Sequence, residues 1–371
     1  MDFRFFVPVE IYFGQDEINR LNTIIKNGRC LIISDPVLKE TGIVDRIKEC
    51  LSSECIVNEF CEVEPNPSCE TVERGAALIK KINVDFIIAA GGGSTIDVAK
   101  AISCLSTAEG DFKEYLYGER IFDRRNTKLI AIPTTSGTGS EVTNVGVYTD
   151  LSKGIKMPLV TDLFWCDYAI IDPTLTVTLP KRATASTSLD AFTHAIEAYW
   201  ADSTQPISKS LSLQAMKLII ENLELAIITP DNYSARENLL FASLIAGMSF
   251  AQTRTTILHA LSFPLTSRYG LEHGFACAIA LPEVMKDNYE FYKDEMDNLL
   301  KYLDFEDIEG LSAYFSDMMK NVGAPVCLSE IGISSEDLDE IVLTTLNAPI
   351  SKLNPKKYTY EELKRTLNKI L

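Results

Sequence analysis

The chain has 371 residues, 46% apolar and 23% charged, with 35 basic against 52 acidic side chains and a formal charge of −17. That composition is globular, long enough for two domains, and excludes a disordered chain. The acidity argues against nucleic-acid binding and against docking on an anionic membrane, and no apolar run reaches the ~20 residues of a membrane helix.

The first fourteen residues, MDFRFFVPVEIYFG, lack a basic start, a long apolar core and a small-residue cleavage site, so no signal peptide is expected. The nine cysteines (30, 50, 55, 61, 69, 104, 166, 277 and 327) form no C-x-x-C. An odd count without metal spacing fits reduced, mostly buried thiols in a cytoplasm. Only three histidines exist, His194, His259 and His273, so any imidazole chemistry must use them.

In chain order, β-branched runs alternate with amphipathic stretches. Strands are expected at Cys30–Ser34, Ile56–Phe60, Asp85–Ala90, Lys128–Ile132 and Tyr168–Ile171. Helices are expected between them at Val37–Leu51, Cys69–Lys81 and Thr95–Leu105. This pattern predicts a mostly parallel sheet covered on both faces. After Pro180 helical patterns take over: Ala183–Trp200, Ser208–Glu224, Ala235–Gln252, a stretch around His259, Phe275–Asn288 and a closing helix Tyr360–Leu371, with no convincing strand. The expected division is an α/β domain over residues 1–179 and an all-α domain over 180–371.

Two glycine loops follow expected strands. DFIIAAGGGSTIDVAK runs from a strand into Gly91, Gly92 and Gly93, and Ser94 opens a helix. Glycines let a ligand approach the backbone, and the helix start offers amide donors and a positive dipole end, as a diphosphate needs. The loop is not G-x-G-x-x-G, since Ile96 stands at the third glycine, and a tight turn alone also explains it. The second loop, Pro133 to Glu141 (PTTSGTGSE), is rich in hydroxyls and glycine. Two such loops after parallel-type strands favour a ligand at the carboxyl ends of the sheet. Asp35, ending an early strand, suits a ribose diol and would repel a 2′-phosphate, favouring NAD over NADP; a turn aspartate before Pro36 is the equal alternative.

In LDAFTHAIEAY, Asp190 and His194 are four apart and share a helical face in an apolar setting. With His259 and His273 they make one carboxylate and three imidazoles, a suitable set for Fe²⁺ or Zn²⁺. Each histidine alone would be read as a satisfied core or surface imidazole. Glu197 reads as a helix-face residue or a partner that orients a ligand, and Glu272 as a surface charge.

Together, GGGSTIDVAK, PTTSGTGSEVT, IDPTLTVTLP, SLDAFTHAIEAYW and HALSFPLTSRYGLEHGFA resemble the iron-containing (group III) alcohol dehydrogenase family. The resemblance extends over essentially the whole chain. It implies a Rossmann-like α/β domain, an all-helical second domain and a site in the cleft between them. It implies that Asp190, His194, His259 and His273 hold one divalent metal, iron ahead of zinc. It implies NAD, with NADP as the lesser choice, contacted by Asp35, Asn66, Gly92, Gly93, Ser94, Asp97, Thr134, Thr135, Thr138 and Lys156. It also implies a small aldehyde or alcohol as substrate and a homodimer or larger assembly.

One departure stands out. Many members carry a further histidine four residues after the match to His259; here that residue is Phe263, expected to shape the substrate or nicotinamide pocket unless Pro264 ends the helix first. Proton relay must then use water, ribose hydroxyls or a hydroxyl side chain. Thr255 is at i−4 from His259 and would face the metal on a continuous helix. Arg254 beside it suits an anionic substrate group, with Lys153 and Arg268 as helpers or plain surface charges. An arginine paired with a structural carboxylate is the alternative. The segment TRTT…HALSFPLTSRYG resembles the phosphonoacetaldehyde reductase branch, which makes 2-hydroxyethylphosphonate. Competing readings are a general short-chain alcohol or diol dehydrogenase, a dehydroquinate-synthase-like lyase and a non-catalytic NAD-binding protein.

Overall fold

Six strands form one sheet in the order β1-β8-β5-β4-β2-β3, with every pairing parallel. They are β1 (Glu10–Phe13), β2 (Gly28–Ile33), β3 (Cys55–Phe60), β4 (Phe86–Gly91), β5 (Lys128–Pro133) and β8 (Tyr168–Ile171). The central strands are apolar almost throughout, because both faces are covered: Cys30, Ile32, Ile88, Ile130 and Ile132 pack with Leu21, Val44 and Ile47 on one side. The strand order reverses between β2 and β4, where a doubly wound sheet opens its ligand crevice.

The structure, a computed structural model, describes residues 2–371. It divides into two compact units: Val7–Thr135 with Gly139–Thr178, and Leu179–Leu371 with Ser136–Thr138 and the residues up to Phe6. The first unit holds the sheet. The second is helical, with no strand among its described residues. Its central helix, Lys181–Trp200, is buried on nearly every side and packs with Leu239, Ile245, Leu258, Leu261 and Phe275. Arg236, almost wholly buried, donates to the Pro230 carbonyl (2.9 Å), the Thr184 hydroxyl (2.6 Å) and the Leu179 carbonyl (3.3 Å), pinning the entry to that helix. No helix among the described residues is long and apolar enough to cross a membrane.

Several elements differ from expectation. β1 and the antiparallel hairpin β6 (Val145–Asp150) with β7 (Ile155–Val160) were not expected. Gly146 and Pro158 mask the hairpin's strand signal, which edge strands tolerate. The expected helix Val37–Leu51 is two, Pro36–Glu40 and Ile43–Glu49, broken at Gly42 with φ 81°. The expected Phe275–Asn288 helix is His273–Ala278 followed by Leu281–Tyr289. Pro264 does not end its helix, which runs Ile257–Tyr269 through it; an interior proline removes one amide bond and leaves the rest of the ladder.

Candidate metal centre and dinucleotide loops

In the sheet unit, three predicted segments gather at neighbouring strand ends. Asp35 follows β2 and caps the helix Pro36–Glu40, its Oδ1 accepting from the Leu38 amide at 2.9 Å. The Ser34 hydroxyl donates to the Ala90 carbonyl (2.9 Å), tying the ends of β2 and β4 together. β4 ends at Gly91, Gly92 is the N-cap, and the helix Gly93–Leu105 begins one residue earlier than Ser94. A Cβ on Gly91 would meet the Thr95 hydroxyl oxygen at 2.4 Å, and one on Gly92 would meet that of Thr135 at 3.2 Å. The Thr134 amide donates to the Gly91 carbonyl (3.1 Å), so the two glycine loops lie side by side.

Asn66, Ser94 and Lys156 also converge. The Asn66 amide donates to the Ser94 hydroxyl (3.2 Å), and the Lys156 ammonium donates to Asn66 Oδ1 (2.8 Å). Asp97 also accepts from the protein at both oxygens, from the Ser140 hydroxyl (2.6 Å) and the Val147 amide (2.9 Å). It braces the second glycine loop. Buried Lys100, which sequence reasoning missed, completes that brace with bonds to Ser140 (2.8 Å), Thr143 (3.1 Å) and the Val145 carbonyl (2.7 Å). Burial pulls its ammonium below its ordinary value. Thr138 groups with the helical unit, apart from Thr134 and Thr135.

In the helical unit, the central helix presents Asp190 and His194, Ile257–Tyr269 presents His259, and His273 opens the next helix. His259 Nε2 lies 3.5 Å and His273 Nε2 3.7 Å from Asp190 Oδ1, while His194 Nδ1 is 3.9 Å from Asp190 Oδ2. The imidazole rings of His194 and His259 are 4.3 Å apart, and Phe250 stacks on His194 at 4.2 Å. Asp190 Oδ1, His194 Nδ1 and His259 Nε2 are buried with no hydrogen-bond partner. Three such atoms converging would cost several kcal/mol in all if nothing satisfied them, at about 1–3 kcal/mol each.

Glu197 orients the centre. Its Oε2 accepts from His259 Nδ1 at 2.5 Å, and its Oε1 from the Thr256 hydroxyl (2.6 Å) and the Leu258 amide (2.7 Å). This bond fixes the His259 tautomer so that Nε2 faces Asp190. Burial pushes the His194 imidazole down to about 4, against the pull of Asp190, so it is neutral and able to ligate. Burial raises Asp190, but His194, His273 and His259 outweigh it and hold the carboxyl well below its ordinary range. Burial lowers His259, but Cys277, Glu197 and Asp190 hold it well above its usual value.

The expected ligand set and one group of close donor atoms differ by one residue. Asp190, His259, His273 and Cys277 offer donor atoms all within 4.8 Å of one another; His194 stands outside that group, on the other oxygen of Asp190. Sequence reading missed Cys277, although its i+4 spacing from His273 was the available signal.

Around the centre, Thr255 is not on the His259 helix. The preceding helix ends at Thr253, Arg254 caps it at φ 67° and ψ 173°, and the next begins at Ile257, so the i−4 argument fails. Arg254 and Phe263 are half-buried. Arg268 pairs with Glu340, Glu272 with Arg182 at 2.5 Å, and the Lys153 ammonium sits over the Tyr117 ring at 3.9 Å, so the proposed helpers have partners elsewhere.

Residues 8–173 match the iron-containing alcohol dehydrogenase model, and residues 184–371 match the C-terminal model of the Fe-containing alcohol dehydrogenase family. The chain is 33% identical to sulfoacetaldehyde reductase of Bilophila wadsworthia, over 85% of this chain and 84% of that protein. It is 32% identical to NADPH-dependent butanol dehydrogenase of Clostridium saccharobutylicum, over 98% and 96%. Its fold superposes on sulfoacetaldehyde reductase of Bifidobacterium kashiwanohense, solved in complex with NAD+, with TM-score 0.95 and 30% identity over 100% and 99% of the two chains. The chain belongs to the iron-containing alcohol dehydrogenase family.

Proposed function

We propose that this protein uses NAD(H) and one divalent metal to interconvert a short aldehyde bearing an anionic head group and its primary alcohol. The leading substrate is phosphonoacetaldehyde, reduced to 2-hydroxyethylphosphonate. Asp190, His194, His259 and His273 are the residues that would hold the metal, Fe²⁺ ahead of Zn²⁺; their carboxylate and imidazole donors, three of them buried and unsatisfied, fit such an ion. When bound, the metal supplies a Lewis acid for the charge developing on the substrate oxygen, and the dinucleotide supplies or accepts the hydride.

The chain's own residues do the rest. Glu197 holds His259 in its ligating tautomer. Asp35, by the crevice between β2 and β4, suits a ribose diol and disfavours a 2′-phosphate, so NAD is preferred and NADP is the lesser cofactor. Gly92, Gly93, Ser94, Thr134 and Thr135 form the side-by-side loops that suit the diphosphate, with Asn66 and Lys156 beside Ser94 and Thr138 a further contact. No spare histidine remains for proton transfer, so a hydroxyl or water carries it.

The observation that carries the anionic substrate is Arg254. Its backbone is strained, at a positive φ unusual for a side chain of this size. Both flanks are tied to the metal centre: its amide donates to the carbonyl of Phe250, which stacks on His194, and Thr256 bonds Glu197. An arginine on a strained segment whose neighbours touch His194 and Glu197 suits recognition of a phosphonate or sulfonate, and two sulfoacetaldehyde reductases among the relatives support that class.

The test is steady-state reduction of phosphonoacetaldehyde, sulfoacetaldehyde and propanal by the wild type and Arg254→Ala. Losing a charge-assisted bond of ~1.5–3 kcal/mol should lower kcat/KM on the anionic aldehydes by about ten- to a hundredfold. Propanal should be little affected. Equal losses on all three would overturn the reading and favour a general short-chain alcohol dehydrogenase.

A further inference from the structure

We propose that Thr256 and Asn354 are positioning residues of the metal centre, which hold Glu197 in place and through it His259. The proposal rests on the reading that Asp190, His194, His259 and His273 hold a metal.

The helix Ile257–Tyr269 starts in an unusual way. Thr256 is its N-cap residue, yet its hydroxyl makes no cap bond to the helix it opens. A threonine there ordinarily accepts from one of the first free amides. Here Glu197, from the central helix, accepts from the Leu258 amide (2.7 Å) and from Nδ1 of the next residue, His259. The Thr256 hydroxyl turns to Glu197 Oε1 instead (2.6 Å). One carboxylate thus caps the helix and sets the ring that the helix carries.

A buried frame turns the hydroxyl. Trp200 Nε1 donates to Thr256 Oγ1 (3.0 Å), and Asn354 Oδ1 lies 3.3 Å from that oxygen. The Asn354 amide can face only one way. Its Nδ2 donates to the Lys356 carbonyl (3.0 Å), which only accepts, and to Asn288 Oδ1 (2.7 Å), while its Oδ1 accepts from Asn288 Nδ2 (3.1 Å). The amide oxygen is therefore what meets Thr256. With a donor on one side and acceptors on the others, the hydroxyl directs its proton to the acceptors, and Glu197 is the nearer of the two. Thr256, Asn288 and Asn354 are wholly buried. Polar groups that deep are costly unless every member is satisfied, and a satisfied network fixes one geometry. The turn that ends at Asn354 is tied as well to the end of the central helix, where the Asp202 amide donates to the Leu353 carbonyl (3.0 Å).

The probe is Zn²⁺ alone, competed against a chelator on metal-stripped full-length protein, with the urea midpoint of each variant measured in parallel. Thr256→Val keeps the shape and removes the hydroxyl. It should weaken zinc binding by about tenfold or more, and Thr256→Ser should restore it to within about threefold of wild type. Asn354→Ala should weaken zinc binding by at least about threefold and add nothing further in the Thr256→Val background, because both act along one path. Asn288→Ala, which frees the Asn354 amide without deleting it, is the second route should Asn354→Ala not fold. Unchanged zinc affinity in Thr256→Val or in the asparagine variants, with only the urea midpoint lowered, overturns the proposal. So does a serine variant as weak as the valine one, or a double variant whose losses add. Failure of wild type to take up stoichiometric zinc overturns the metal reading, and this proposal with it.

Discussion

Glu197 shows how one buried carboxylate can set the chemistry of a neighbouring ligand. It accepts from His259, Thr256 and Leu258, and Trp200 donates to Thr256 at 3.0 Å, so the carboxylate that holds the His259 ring is itself fixed by its other partners. Glu197→Ala should weaken metal binding by about 10–100-fold, the usual cost of losing such an orienting partner. Asp190→Ala removes the oxygen that His259 and His273 both face and should abolish binding. Competition against a chelator measures both losses. NADH binding, followed by its fluorescence, should persist in each variant, since Asp190 and Glu197 lie in the helical unit, while Asp35, the Gly91–Ser94 loop, Thr134 and Thr135 lie in the sheet unit. Loss of NADH binding together with the metal would count against this division of labour.

At the scale of elements, two glycines act for different reasons. Gly274 follows His273 and lets its helix touch the central helix: a Cβ there would sit 1.7 Å from the Ser186 carbonyl oxygen. Main chain cannot give way as a side-chain tip can. Gly274→Ala should therefore destabilise by about 1–3 kcal/mol or more and displace His273, weakening metal binding as well. Gly42 has open space around it but a φ of 81°, which breaks the expected Val37–Leu51 helix in two. Gly42→Ala should cost about 1–2 kcal/mol through backbone strain alone and leave metal affinity unchanged. Urea midpoints with a parallel metal titration separate the two. Equal effects on metal binding would show that the Gly274 contact does not position the ligand.

For the whole molecule, the charge of −17 opposes the approach of any anionic substrate, so local groups such as Arg254 must supply the attraction. Salt relieves the long-range repulsion: the Debye length falls from about 30 Å at 0.01 M to about 8 Å at 0.15 M. kcat/KM for phosphonoacetaldehyde should therefore rise over that range of ionic strength, while kcat/KM for neutral propanal stays level. A fall for the anionic aldehyde would mean that a positive local field around the site outweighs the net charge.

The sequence by itself determined the alternation of strands and helices, the two glycine loops, and a chemistry confined to Asp190 and three histidines. These are local matters: apolar periodicity, glycine where backbone must come close, and a histidine count that left no other choice. β1 and the β6–β7 hairpin escaped, because short strands and strands carrying Gly146 or Pro158 have little local signal and form through their neighbours. Tertiary structure alone decided that Asp97 braces a loop with both oxygens, that Thr255 leaves the His259 helix, and that Cys277 reaches the same point as Asp190. Each depends on where a side chain ends once helices distant in sequence have packed. Periodicity fixes which face of a helix a residue occupies, but the depth, neighbours and distances on that face are set by the packing of the whole fold.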